Sequence, residues 1–291
     1  MSPGYTGIYL PIITPFFNCE VDYRSYEKMV DHYIEKGIHG IIPLGTTGES
    51  PAVSHTEYHN IIKTIIDLVK GRIPVFLGVS GNNTMSLIKK LEGFEDYDIE
   101  GYLIASPYYN RPSQKGILRH YREIANNISK KIIIYNIPYR TGRNVENRTI
   151  REIANIENVV GLKDSCGMIG QTLEILNDPP EDFSIFTGED IMTLINLTHG
   201  GAGGILASCH TNTEKFVEIY ESIKKGDLEK GSKTWKELFP LIPLLFKEPN
   251  PGPIKYILHR QGLIRSDELR LPLDNISDQL KTEIDRLINK L

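Results

Sequence analysis

Val159-Val160-Gly161-Leu162-Lys163-Asp164 is an apolar run that ends abruptly on a lysine and an aspartate, with Ser165-Cys166-Gly167 directly after it. A short, β-branched, uninterrupted run of this kind reads as a buried strand. Its polar end matters as much as its apolar body. In sheets built from βα units the carboxyl ends of the strands open into the functional cleft, so Lys163 is carried to that rim with an apolar collar that disfavours the charged ammonium. A lysine so placed can act as an amine nucleophile toward a keto group, forming a Schiff base without metal or cofactor. Taken alone, a lysine at a strand end is more often a solvated terminal charge, and the rest of the chain decides between the two.

Working outward from this run, seven more candidate strands alternate with amphipathic helical patterns. The eight are 8–14, 40–44, 74–79, 101–106, 131–136, 159–164, 183–188 and 203–208. Regular βα alternation is the signature of a parallel sheet. The helices between them carry their own signals. Asp22 is an N-cap before Tyr26, Met29, Val30, Tyr33 and Ile34, and Gly37 suits the C′ position. Ser54 and Glu57 form a capping box ahead of Ile61, Ile62, Ile65 and Ile66. Eight βα units favour a (β/α)8 TIM barrel over a doubly wound sheet. The dinucleotide fingerprint that the latter would want fails, because Leu206 stands where Gly201-Ala202-Gly203 would need a third glycine.

After Thr213 the pattern is helical only, with segments 214–225, 228–246 interrupted by Pro243, 254–261 and 276–291, and with Pro249, Pro251 and Pro253 as a stiff connector. The expected organisation is therefore a catalytic barrel over 1–212 and a small all-helical appendage over 213–291.

The chain has 291 residues, is 40% hydrophobic and carries a net charge of −4, with acidic and basic residues interspersed. That argues against a nucleic-acid footprint and for a small-molecule partner. Met1 to Tyr5 lacks a basic region leading into an apolar segment, and no apolar run approaches a membrane span, so the cytoplasm is the expected location. Cys19, Cys166 and Cys209 are too few and too scattered for a disulfide framework or a thiolate metal site. His55 and His59 lie one helical turn apart, but Thr56-Glu57-Tyr58 between them does not fit H-E-x-x-H. Ordinary helix residues are the better reading, and no metal is expected.

The rim of such a barrel collects Gly45-Thr46-Thr47-Gly48-Glu49, Pro107-Tyr108-Tyr109, Tyr135 and Lys163 from four strand ends. A Schiff-base enzyme needs a lysine, a hydroxyl to shuttle protons, and donors for a keto acid's carboxylate; Lys163, Tyr135 and the Thr46-Thr47 turn offer all three. Each also has a plainer reading. Tyr135 can be a strand aromatic with a wet hydroxyl, the threonines can merely order their turn, and Tyr108-Tyr109 can be an interface patch. Arg140, on the loop after Tyr135, is either a solvated charge or a bidentate partner for a second substrate's carboxylate.

With these residues in hand, the chain resembles the dihydrodipicolinate synthase family, among the pyruvate-dependent class I aldolases that include N-acetylneuraminate lyase. The resemblance runs nearly end to end, through Leu10-Pro11-Ile12-Ile13-Thr14-Pro15-Phe16, Gly45-Thr46-Thr47-Gly48-Glu49-Ser50, Pro107-Tyr108-Tyr109-Asn110-Arg111-Pro112-Ser113-Gln114, Tyr135-Asn136-Ile137-Pro138, Arg140-Thr141-Gly142, Gly161-Leu162-Lys163, Glu248-Pro249-Asn250-Pro251 and Leu269-Arg270-Leu271-Pro272. It implies that Lys163 forms an imine with pyruvate, that Tyr135, Thr46 and Tyr109 make a hydroxyl relay, and that Tyr109 reaches in from a neighbouring subunit of a homodimer or homotetramer, with Tyr108 near the same interface. It further implies that Thr47 holds the pyruvate carboxylate, that the carbonyl of Ile205 faces the keto acid, and that Arg140 receives the carboxylate of aspartate 4-semialdehyde. The implied reaction is a lyase-type condensation on the lysine and diaminopimelate route, with no cofactor. The alternative is a class I aldolase for a 2-keto-3-deoxy sugar acid or N-acetylneuraminate, since Asp164-Ser165 also looks like relatives that act on other aldehydes. At the positions resembling the family's lysine-inhibition site, His55, Asn82 and Tyr108 are kept, whereas Tyr58 and Ser86 replace a histidine and a glutamate.

Overall fold

The computed structural model describes residues 4–288. Its parallel strands are β1 Gly7–Leu10, β2 Gly40–Ile41, β3 Phe76–Val79, β4 Gly101–Ala105, β5 Lys131–Asn136, β6 Val159–Asp164, β7 Ser184–Thr187 and β8 Gly203–Ile205. They run in the order β2-β1-β8-β7-β6-β5-β4-β3, the order of a (β/α)8 barrel, and helices follow at the C-terminus.

The expected strands are all present, and three of them end three or more residues sooner than expected, for identifiable reasons. β1 stops at Leu10 because Pro11 has no N–H to give the ladder. β2 stops at Ile41, ahead of Pro43 and of Leu44, whose φ of 59° is left-handed. β8 stops at Ile205, and the chain coils into a 3-10 turn over Ser208–His210.

Internal contacts divide the chain into two compact units. One comprises the residues up to Thr6 and Phe76–Ile205, and so holds β3 to β8. Its strands are buried almost throughout, with Leu77, Tyr102, Ile104, Ile132, Leu162 and Phe186 in the core. The register here fixes the site. Tyr135 pairs with Lys163 and Asn136 with Asp164, while Lys163 and Asp164 pair with Phe186 and Thr187 on the other side.

The other unit comprises Gly7–Val75 and Leu206–Leu291. β1 and β2 pair in parallel, and a single bridge joins Ile41 to Val75. The helix Tyr23–Glu35 is capped by Asp22, which accepts from the Ser25 amide, and Gly37 follows with φ 82°. The helix His55–Val69 carries the expected capping box, with Ser54 Oγ accepting from the Glu57 amide and the Glu57 carboxylate from the Ser54 amide. Such a cap contributes about 1 kcal/mol. The C-terminal helices are Thr213–Lys224, Leu228–Leu238, Ile242–Leu245, Gly252–Arg260 and Asp278–Ile288. Pro243 lies in the first turn of its short helix, and Pro253 likewise opens the helix Gly252–Arg260 instead of belonging to a connector. The expected N-terminal reading over Met1 to Tyr5 and the last turn of segment 276–291 lie partly outside the described residues. Among the described residues no helix is long and apolar enough to cross a membrane.

Candidate active site

Lys163 is the fifth residue of β6 and is 7% exposed. Its Nζ lies 4.3 Å from the ring centroid of Tyr135, its register partner on β5. The space that the lysine side chain occupies exists because residue 188 is glycine. A Cβ there would fall 2.6 Å from Lys163 Cε, 2.8 Å from its Cγ and 2.3 Å from Ser165 Oγ. The strand ends are held in line by Ser165 N–H donating to Asn136 O at 2.8 Å and Gly188 N–H donating to Asp164 O at 2.7 Å. Amine and phenol are thus pinned on adjacent strands.

Burial raises the Tyr135 phenol pKa well above its ordinary value, and the nearby Tyr139 adds to this, while Ser165 and Arg140 oppose it. A phenol held protonated in this way can donate a proton and recover it. The Ser165 side chain is buried, and its interaction with the Tyr135 phenol favours the phenolate.

Asp164 is 4% exposed. Its carboxyl accepts from Thr172 Oγ1 at 2.5 Å and from the Cys166 amide at 3.2 Å. Burial raises its pKa against those donors. Burial and the Asp164 charge push the neighbouring Cys166 thiol up to about 11, so it is a structural thiol rather than a nucleophile. Glu189 follows Gly188; burial and the adjacent Asp190 raise its carboxyl, and the Lys163 charge lowers it. Sequence reasoning passed over both Gly188 and Glu189. The available signal was the polar Gly188-Glu189-Asp190 at the end of a candidate strand.

Arg140 sits on the helical turn Pro138–Thr141, solvent-exposed, with its guanidinium carbon 5.0 Å from the Tyr139 ring centroid. This loop is well tied down. Asn136 donates to Val145 O and accepts from Val145 N–H, Arg111 Nε donates to Gly142 O at 2.8 Å, and Gln114 Nε2 donates to Asn144 O at 2.8 Å. Tyr108 is 40% and Tyr109 88% exposed, and Tyr109 has a left-handed φ of 72°. Ile205 ends β8 and is fully buried.

In the other unit, the turn after β2 places Thr46 at the surface and Thr47 inside. Thr47 Oγ1 accepts from Asn250 Nδ2 at 3.0 Å. The turn is closed by Gly48 N–H donating to Gly45 O and Glu49 N–H donating to Thr46 O. No Cβ fits at Gly48, where it would meet Leu44 N at 2.9 Å and Ile12 O at 3.1 Å. Lys163, Tyr135, Tyr109, Arg140 and Ile205 therefore belong to one unit, and Thr46 and Thr47 to the other.

His55 and His59 form an edge-to-face pair with centroids 4.7 Å apart. Among the described residues no group of three or more His, Cys, Asp or Glu could hold a metal ion. Of the two positions that depart from the lysine-inhibition pattern, Tyr58 is buried and Ser86 gives its amide to Asn83 at the start of the helix Thr84–Glu92.

The family model described as the dihydrodipicolinate synthetase family matches residues 4–291. The chain is 46% identical to 4-hydroxy-tetrahydrodipicolinate synthase 2 of Clostridium acetobutylicum over 282 residues, which is 97% of this chain and 99% of that protein. The crystal structure of dihydrodipicolinate synthase from Thermotoga maritima matches with a TM-score of 0.95 at 35% identity, covering 98% of both chains. A dihydrodipicolinate synthase variant described as monomeric matches with a TM-score of 0.95 at 35% identity, covering 98% of this chain and 96% of that one. Similarity of this extent, at full length and in both sequence and fold, means that the chain belongs to the dihydrodipicolinate synthetase family.

Proposed function

We propose that this chain condenses pyruvate with L-aspartate 4-semialdehyde to give 4-hydroxy-tetrahydrodipicolinate, through an imine on Lys163. The observation that carries this reading is the buried Lys163 ammonium group set 4.3 Å from the ring of Tyr135. The neutral amine of Lys163 attacks C2 of pyruvate. Tyr135, joined by Thr46 and Tyr109, delivers the proton with which the carbinolamine hydroxyl leaves as water. The iminium then loses a methyl proton to become an enamine, whose carbon attacks the aldehyde while the relay protonates the new alkoxide. The amino group of the second substrate adds to the same imine carbon, closing the ring and releasing Lys163. One water is lost over the cycle, and the lysine is returned unchanged.

Binding follows from charge and position. Thr47 holds the pyruvate carboxylate, the Ile205 carbonyl faces the keto acid, and Arg140 pairs with the semialdehyde's carboxylate by its planar fork. An exposed aromatic at left-handed φ, as Tyr109 is, suits a residue whose contacts lie on another subunit, so we place Tyr108 and Tyr109 at the interface of a homodimer or homotetramer in the cytoplasm. A second reading, an aldolase releasing pyruvate from a 2-keto-3-deoxy sugar acid or N-acetylneuraminate, is favoured by Asp164-Ser165 directly after the imine lysine, a pair that also looks like relatives acting on other aldehydes. Turnover with aspartate semialdehyde in a coupled assay, set against pyruvate release from those sugar acids, separates the two. A higher kcat/KM for a sugar acid overturns the synthase reading.

A further inference from the structure

Glu49 closes the Thr46-Thr47 turn and is itself buried, 2% exposed, against a fully buried Lys255. Its Oε1 lies 2.5 Å from Lys255 Nζ, and its Oε2 accepts the Arg270 amide at 3.2 Å. Lys255 Nζ also donates to Glu268 O at 2.8 Å and rests 4.3 Å from the Phe16 ring centroid. Arg270 lies 4.2 Å from the same centroid and is held bidentate by Glu57 at 2.6 and 2.9 Å. The four charges sum to zero.

An ion pair this deep is a poor device for stability. Burial raises the Glu49 carboxyl pKa despite Lys255, and burial lowers the Lys255 ammonium to about 8 despite Glu49. For both groups desolvation outweighs the attraction, and apolar residues of like volume would serve a core as well or better. What the pair does supply is position. The turn it grips is bounded by two non-glycine residues in the left-handed region, Leu44 at φ 59° and Glu49 at φ 49°, a backbone that persists only where its surroundings hold it. A second grip comes from Asn250, whose amide donates to Thr47 Oγ1 two residues before the helix that carries Lys255.

We propose that Lys255, Glu49 and Asn250 are positioning residues that hold the Thr46-Thr47 turn in its carboxylate-binding form, and so set the affinity for the keto acid rather than the stability of the protein. This rests on the reading of Thr47 as the carboxylate holder. The test is the pyruvate concentration that gives half-maximal borohydride-trapped adduct on Lys163, measured with the full chain. In Glu49→Gln/Lys255→Met, which removes both charges at once, that concentration rises about tenfold, the loss of one charge-assisted hydrogen bond. The adduct at saturating pyruvate and the melting temperature stay at wild-type values, and KM for the aldehyde changes less than twofold. Asn250→Leu, which leaves the ion pair intact, shifts the half-saturation in the same direction. Lys247→Met/Glu283→Gln, an exposed pair elsewhere in the C-terminal helices, leaves it unchanged. Wild-type half-saturation in either folded variant overturns the proposal. Absence of any adduct in the unmodified protein would instead overturn the Lys163 reading on which it rests.

Discussion

Replacing Gly188 with alanine would set a methyl carbon 2.6 Å from Lys163 Cε and 2.3 Å from Ser165 Oγ. Ordinary carbon contact begins near ~3.5 Å, so the lysine must give way by about 0.9 Å, from 3.5 minus 2.6, or the β7 end must retreat by as much. The lysine is the softer party, since the Gly188 amide is bonded to Asp164 O at 2.7 Å. Forcing a side chain off its rotamer costs of order 1 kcal/mol, and overpacking a core costs about 1 to 3 kcal/mol. The fold therefore survives, with a melting temperature lowered by a few degrees at most. Chemistry is far less tolerant, because a displacement of about 1 Å at a reacting group costs on the order of a hundredfold in rate. The assay is the rate of pyruvate-dependent borohydride trapping, followed by intact mass, beside a thermal melt. Gly188→Ala is expected to melt nearly as the parent does and to form adduct about a hundred times more slowly. A variant that folds and traps pyruvate within twofold of the parent rate would refute the assignment of that space to a productive lysine.

Tyr135→Phe keeps the ring beside Lys163 and removes the hydroxyl proposed above as the proton donor, so kcat in the coupled assay should fall by roughly a hundredfold or more with little change in the melt. Arg140→Ala should raise KM for aspartate semialdehyde about tenfold while leaving pyruvate trapping intact, since the guanidinium is exposed and, on the function proposed above, pairs with the second substrate's carboxylate. Glu57 is held down to about 2, chiefly by its hydrogen bonds to Arg270. A carboxyl depressed in the folded state contributes stability that is present above its unfolded pKa of about 4.3 and is lost as the pH falls toward 2. Glu57→Gln should accordingly flatten the fall of melting temperature between about pH 4.5 and 2, and a fall as steep as the parent's would count against the pairing.

Most of the barrel could be read from the chain because each strand is a short apolar run and each helix announces its own start. Asp22 and the Ser54-Glu57 box are local signals, and they are formed as read. Strand ends were read too long where prolines and left-handed residues break the ladder, since an apolar run does not say which of its amides are paired. Lys163 and Tyr135 were legible as strand-end residues, and the register that faces them across adjacent strands follows from parallel pairing. Asn250 and Lys255 carried no such signal, and Gly188 only its place at the end of a candidate strand. Each acts on a residue distant in sequence: Gly188 by leaving room for Lys163, Asn250 by reaching Thr47, and Lys255 by neutralising Glu49. The segments containing Asn250 and Arg270 were recognisable by resemblance, but their physical work depends on a tertiary approach that no local pattern encodes. The C-terminal helices share their compact unit with β1 and β2.

The claim at the centre of this account is that Lys163 is the imine nucleophile, and borohydride reduction in the presence of pyruvate tests it directly. Peptide mapping of the reduced protein should place the added mass of one reduced pyruvate on the Lys163 peptide, and none should appear in Lys163→Ala. An adduct on another lysine, or no adduct at saturating pyruvate, would contradict it.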